Sequence, residues 1–94
     1  MKMVRKIVFI AGKVQNVCFR SKMEEKARKL KVCGNVMNLR DGQVRAVLEG
    51  EEESVDRVIE WARRGPKEAR VEKLSVFSQP YKAEYHSFRI IVPS

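Results

Sequence analysis

The sequence predicts an α+β sandwich: an antiparallel sheet with two helices packed on one face. Three observations lead there. Two segments carry apolar residues at helical spacing, and five others alternate or run apolar in the manner of strands. An Asp41-Gly42 turn joins two of those strands with no room for a crossover.

Residues 4–11 form the first strand, and apolar side chains on both of its faces predict a central position. Phe19, Met23, Ala27 and Leu30 then recur as one helical stripe. Glu24 with Arg28 and Glu25 with Lys29, acid first at i,i+4, support the opposite face. Phe19 and Met23 are therefore read as core. Gly34 ends this unit, and residues 34–39 read as a short second strand. The third strand, 43–49, alternates cleanly, with Val44, Ala46 and Leu48 on one face. Gly50 is expected to break it, and Glu51, Glu52 and Glu53 place negative charge where a helix start favours it. Val55, Val58, Ile59 and Ala62 form the second buried stripe, with Trp61 packing at its edge. Arg63 and Arg64 are expected in the last turn, before Gly65-Pro66 stop the helix. Two further extended runs, 71–77 and 85–92, flank a loop around Pro80, and Phe88, Ile90 and Val92 share a face of the second.

Strand, helix, strand, strand, helix, strand, plus one extra strand, is the split βαβ or ferredoxin-like arrangement. Which of the last two strands takes the fourth place is left open. In this topology the first and second strands run parallel, with the third between them. Their C-terminal ends share one edge of the sheet, so the segment 12–20 and Asn38 can face one site.

Composition narrows the classes. The chain of 94 residues is expected to be one domain, 1–94, with a single modest core. With 44% hydrophobic and 34% charged residues it reads as globular. No apolar run approaches the ~18 residues of a membrane span. Met1-Lys2-Met3 leads straight into a strand pattern without a secretory signature, so the cytoplasm is expected. Cys18 and Cys33 lack metal-site spacing and read as reduced thiols in packing positions. The net charge of +8 favours anionic partners, although acids are interleaved with the basic residues throughout.

The chemistry centres on Gly12-Lys13-Val14-Gln15-Asn16-Val17-Cys18-Phe19-Arg20, a strand-to-helix turn. Such a turn aims several backbone N–H groups one way, and the helix behind it adds partial positive charge. Phosphate is the usual guest of that cradle. Arg20 supplies a fork that matches two phosphate oxygens. The turn is no Walker A loop, because Gly-Lys-Ser/Thr is missing from its end. His86, the lone histidine, argues for neither a metal centre nor a Ser-His-Asp arrangement. Lys13 and Arg70 read as solvated surface.

The pattern Gly-x-Val-Gln-x-Val-x-Phe-Arg at 12–20 resembles the phosphate loop of the acylphosphatases. The resemblance continues through Gly34-x-Val36-x-Asn38, Asp41-Gly42-x-Val44, Glu49-Gly50 and Gly65-Pro66 with Ala69-Arg70-Val71. It implies hydrolysis of the carboxyl–phosphate anhydride of acyl phosphates by a monomer, without metal or covalent cofactor. Residues Gln15, Asn16, Val17, Cys18, Phe19 and Arg20 then form the phosphate-binding loop. Arg20 holds phosphate with the loop amides, Asn38 positions the attacking water, and inorganic phosphate is product and inhibitor. The chain departs from the family at Asn16, where the loop has glycine, at Asn35 in place of an aromatic, and at Lys31 in place of a helix-ending glycine. Asparagine tolerates the left-handed region, so the loop is expected to keep its shape.

Two other readings of the residues stand beside this one. Asn38 could simply shape the hairpin, and the chain could be a non-catalytic module for a phosphorylated ligand or nucleic acid. RNA stacking is disfavoured, because the third strand has no aromatic and the first has only Phe9.

Overall fold

The structure, a computed structural model, describes residues 2–92. Met1, Pro93 and Ser94, which the expected domain 1–94 includes, lie outside the described residues. The elements are β1 (Met3–Lys13), α1 (Phe19–Lys29), β2 (Cys33–Asn38), β3 (Val44–Glu51), α2 (Glu52–Ala62), β4 (Arg70–Gln79) and β5 (Phe88–Ile90). They build a five-stranded sheet in the order β4-β1-β3-β2-β5. β1 is central, as its two apolar faces predicted, and pairs antiparallel with β3 and β4.

The core lies between the sheet and the two helices. Val8, Ile10, Val36, Val44, Ala46 and Leu48 project from one face of the sheet onto Phe19, Met23 and Ala27 of α1 and Val55, Val58, Ile59 and Ala62 of α2. Burying each of the larger of these side chains (Val, Leu, Ile, Phe, Met) contributes roughly 1.5–3 kcal/mol, so both helical stripes drive the packing they predicted. Leu30 closes the first stripe only half-buried. Lys31, beyond the helix, takes a φ of 59°, a left-handed conformation that costs a non-glycine residue about 1 kcal/mol.

Most strand ends lie within one or two residues of the expected ranges, and three differences change the reading. Gly50 does not break β3: it pairs with Val4, and the ladder continues to Glu51 opposite Met3. Arg63 and Arg64 fall just past the end of α2 rather than in its last turn. The last run, expected over 85–92, is a strand only over Phe88–Ile90, and at its start the Tyr85 amide bonds to Glu49 rather than to a strand. Lys82, Glu84 and Tyr85 donate their N–H groups to the Glu49 carboxylate, at 3.0, 2.8 and 3.4 Å.

The same contacts account for a mixed rather than wholly antiparallel sheet. β4 takes the place beside β1, and Gln79 near its end pairs with Arg5 near the start of β1. From there the chain passes Glu49, which lies on the face opposite the helices, and reaches the beginning of β2. It has come from the end of the sheet where β2 starts, so β5 runs parallel to β2, with Gly34 opposite Phe88 and Val36 opposite Ile90. Arg5 completes this corner: it donates to Gln79 Oε1 at 3.0 Å and to Glu49 Oε2 at 3.2 Å, and lies 3.0 Å from Glu84 Oε1.

Candidate active site

β1 delivers the chain to the loop through a bulge between Ala11 and Gly12. Gly12, at φ 127°, passes so near β4 that a Cβ would sit 2.1 Å from the carbonyl oxygen of Arg70. Only glycine fits that approach. Beyond it, side chains alternate. Val14, Val17 and Phe19 are buried, while Asn16 and Cys18 are exposed. The Phe19 ring packs at a 57° tilt against Trp61 with centroids 5.3 Å apart, so the loop is pinned from beneath by apolar packing.

The backbone answers the side chains. Asn16 and Cys18 both take φ of 62°, and Val17 between them does not have positive φ. Alternating hand turns successive N–H groups toward one side, which makes an anion nest. The N–H groups of Asn16, Val17, Cys18, Phe19 and Arg20 donate to no other described residue. The N-cap, Cys18, makes no side-chain cap, and no acidic residue stands in the first turn of α1. Nothing within the helix therefore competes with an external anion. Cys18 is thus part of the cradle wall and exposed, not the packing residue its composition suggested; Cys33 is half-buried, and both are free thiols.

Arg20 is half-buried beside the nest. At the far end of α1, Arg28 and Lys29 pair with Glu24 and Glu25 as expected. Arg20 forms no ion pair with any described residue. Its guanidinium remains available to a ligand.

Asn38 reaches the same end of the sheet from β2. Val44 of β3 faces Ile10 on one side and Asn38 on the other, which sets the ends of β1 and β2 in one row, as the topology predicted. Asn38 Oδ1 is buried and has no hydrogen-bond partner among the described residues. An orphaned acceptor costs about 1–3 kcal/mol, so its lack of a partner calls for an explanation. A merely hairpin-shaping asparagine would spend that oxygen on a backbone N–H. Here the turn is shaped instead by Asp41, which accepts from Gln43 N at 3.0 Å and from Gln43 Nε2 at 2.7 Å.

A cavity of about 270 Å³ opens over the loop, lined by Asn16, Cys18, Arg20 and Ser21 and by apolar Val14, Phe19, Ile90 and Val92. Ile90 and Val92 were not legible as site residues, since nothing in the last run hinted where it would pair. The parallel register puts Ile90 beside Val36, and two residues further along each chain are Val92 and Asn38. Another depression, about 410 Å³ over α2, is lined by Glu52, Glu53, Asp56, Arg57 and Glu60. Its acids repel an anion, and Arg57 is already paired with Glu53 at 3.1 Å.

Of the six loop residues singled out from sequence, five, Asn16 to Arg20, leave their N–H groups unpaired among the described residues, and Arg20 lines the cavity above them. Gln15 differs. Its amide turns away toward the β2–β3 hairpin and donates to the carbonyls of Leu39 at 2.8 Å and Gln43 at 3.0 Å. Lys13 and Arg70 are exposed, as expected, and pair across β1 and β4. Among the described residues no cluster of three or more His, Cys, Asp or Glu side chains could hold a metal ion.

The family model described as acylphosphatase matches residues 6–90. The chain belongs to the acylphosphatase family. An acylphosphatase of Pyrobaculum calidifontis is 50% identical over 91 residues, covering 96% of this chain and 83% of its own. One of Aeropyrum pernix is 46% identical over 89 residues, covering 94% and 88%. The crystal structure of acylphosphatase from Bacillus subtilis superposes with a TM-score of 0.90 at 30% identity, over 94% of this chain and 98% of that one. An acylphosphatase structure from Coxiella burnetii gives 0.89 at 34% identity, over 95% and 93%.

Proposed function

We propose that the protein hydrolyses acyl phosphates to carboxylate and inorganic phosphate at the 12–20 loop. The observation that carries this reading is the run of N–H groups from Asn16 to Arg20, unpaired among the described residues and flanked by left-handed Asn16 and Cys18, beside the cavity that Arg20 lines. The N–H groups of Asn16 to Arg20 and the Arg20 guanidinium hold the phosphoryl oxygens and take up charge as it develops. Asn38 Oδ1 accepts a hydrogen bond from water and orients its oxygen toward phosphorus. The new O–P bond forms as the bond to the acyl oxygen breaks. The carboxylate leaves, and both protons of the water end on the released phosphate. A carboxylate is a good leaving group, so no strong base is required. Val14, Phe19, Ile90 and Val92 supply apolar walls beside the reacting group.

The same reading makes the protein a cytoplasmic monomer with inorganic phosphate as product and competitive inhibitor. Two free thiols agree with a reducing compartment, and no helix among the described residues is long and apolar enough to cross a membrane.

The test is release of benzoate from benzoyl phosphate by the purified protein in excess EDTA. Turnover that survives the chelator is expected. Loss of turnover, restored by a divalent ion, would contradict a site built from backbone amides, Arg20 and Asn38. Phosphate binding without any turnover would favour the non-catalytic module.

A further inference from the structure

We infer that Gln15 is a positioning residue, setting the distance between the phosphate nest and the water site at Asn38; this rests on the hydrolytic reading above. The sheet order places β3 between β1 and β2. The two halves of the site therefore hang from strands two ladder steps apart, roughly 9–10 Å, with no ladder hydrogen bond between them. Gln15 crosses that gap. Its backbone immediately precedes the nest, and its Nε2 holds the carbonyl of Leu39 at 2.8 Å and that of Gln43 at 3.0 Å.

Those two carbonyls close the hairpin. Leu39 N–H donates to the Gln43 carbonyl at 2.8 Å, and Gly42 N–H donates to that of Leu39 at 3.2 Å. Leu39 directly follows Asn38, so fastening it fixes the backbone that aims the orphaned Oδ1. Both protons of one amide are used, and only a side chain with two donors on one nitrogen and this reach satisfies both carbonyls. Glutamate has the same shape but presents acceptors to acceptors; leucine fills the space and donates nothing.

The prediction is a split between chemistry and binding. In Gln15→Leu the nest keeps its own pins, Val14, Val17 and Phe19, so the phosphate inhibition constant should stay within about threefold. The water would be displaced from its line of attack, and kcat should fall by about a hundredfold, the order expected for a misplacement near 1 Å. A double-mutant cycle isolates the route. If Gln15 acts through Asn38, then adding Gln15→Leu to Asn38→Ala should cause no further loss of kcat. Independent, multiplying losses, or a large loss of phosphate affinity in Gln15→Leu, would overturn the inference and leave a general structural role. Should Gln15→Leu not fold, Gln15→Met, unbranched and of similar length but without donors, carries the same comparison. An inactive wild type overturns the hydrolytic reading and this inference with it; an active wild type with an unimpaired Gln15→Leu overturns this inference alone.

Discussion

Gly65 lies directly against the ring of Phe19: a Cβ at Gly65 would sit 2.4 Å from Phe19 Cε2. The turn that stops α2 thus doubles as the seat of the phosphate loop. Phe19 cannot readily swing aside, because it is 1% exposed and packed against Trp61.

Gly65→Ala should therefore disturb the loop from below. Overpacking of this kind costs about 1–3 kcal/mol, and the left-handed φ of 69° adds to it. Urea denaturation should show the lower midpoint, and phosphate inhibition should weaken in the same protein. Normal stability together with normal phosphate affinity would show that the ring accommodates the methyl group.

Arg20 and Asn38 should separate binding from chemistry. Arg20→Ala should weaken phosphate inhibition and lower kcat together, because one group serves both. Asn38→Ala should lower kcat by about 10²–10³ while phosphate still binds. A parallel loss of phosphate affinity in both variants would contradict this division.

Asn16, which the family resemblance sets at a loop glycine, takes a φ of 62°, within the region asparagine tolerates. Little strain is stored there. Asn16→Gly should change kcat/KM by tenfold or less, about 1.4 kcal/mol. Steady-state hydrolysis of benzoyl phosphate by both proteins decides it. A silent wild type activated by the substitution would show a distorted nest.

Glu49 should confer acid sensitivity. Burial alone would raise its pKa, but N–H groups from Lys82, Glu84 and Tyr85 and the Arg5 guanidinium outweigh burial and hold the carboxyl below its ordinary value. A depressed carboxylate stabilises the fold above its unfolded pKa, about 4.3, and that stability is lost as pH falls through the folded value. Wild-type stability should decline from about pH 4.5 downward. Glu49→Gln should be less stable at pH 7 and flatter over the acid range. The residual slope would come from groups such as Asp41, held low by hydrogen bonds from Gln43. Urea midpoints at neutral and acidic pH check this; equal slopes in the two proteins would assign the acid sensitivity elsewhere.

Local periodicity and turn chemistry by themselves determined both helices, the hairpin at Asp41-Gly42, the interior place of β1 and the alignment of the ends of β1 and β2. Each depends on residues a few positions apart or on a topology with few alternatives. The family pattern at 12–20 supplied the chemistry. Only tertiary structure decided where β4 and β5 lie, because Glu49 gathers amides 33 to 36 residues downstream. No sequence period marks that carboxylate as buried. Asn16 and Cys18 revealed their left-handed conformations only in the folded loop, where backbone geometry, not residue type, sets the nest. Gln15 reads in sequence as one more loop residue. Its amide acquires a role when β3 separates the two strands it must bridge, 24 and 28 residues away along the chain.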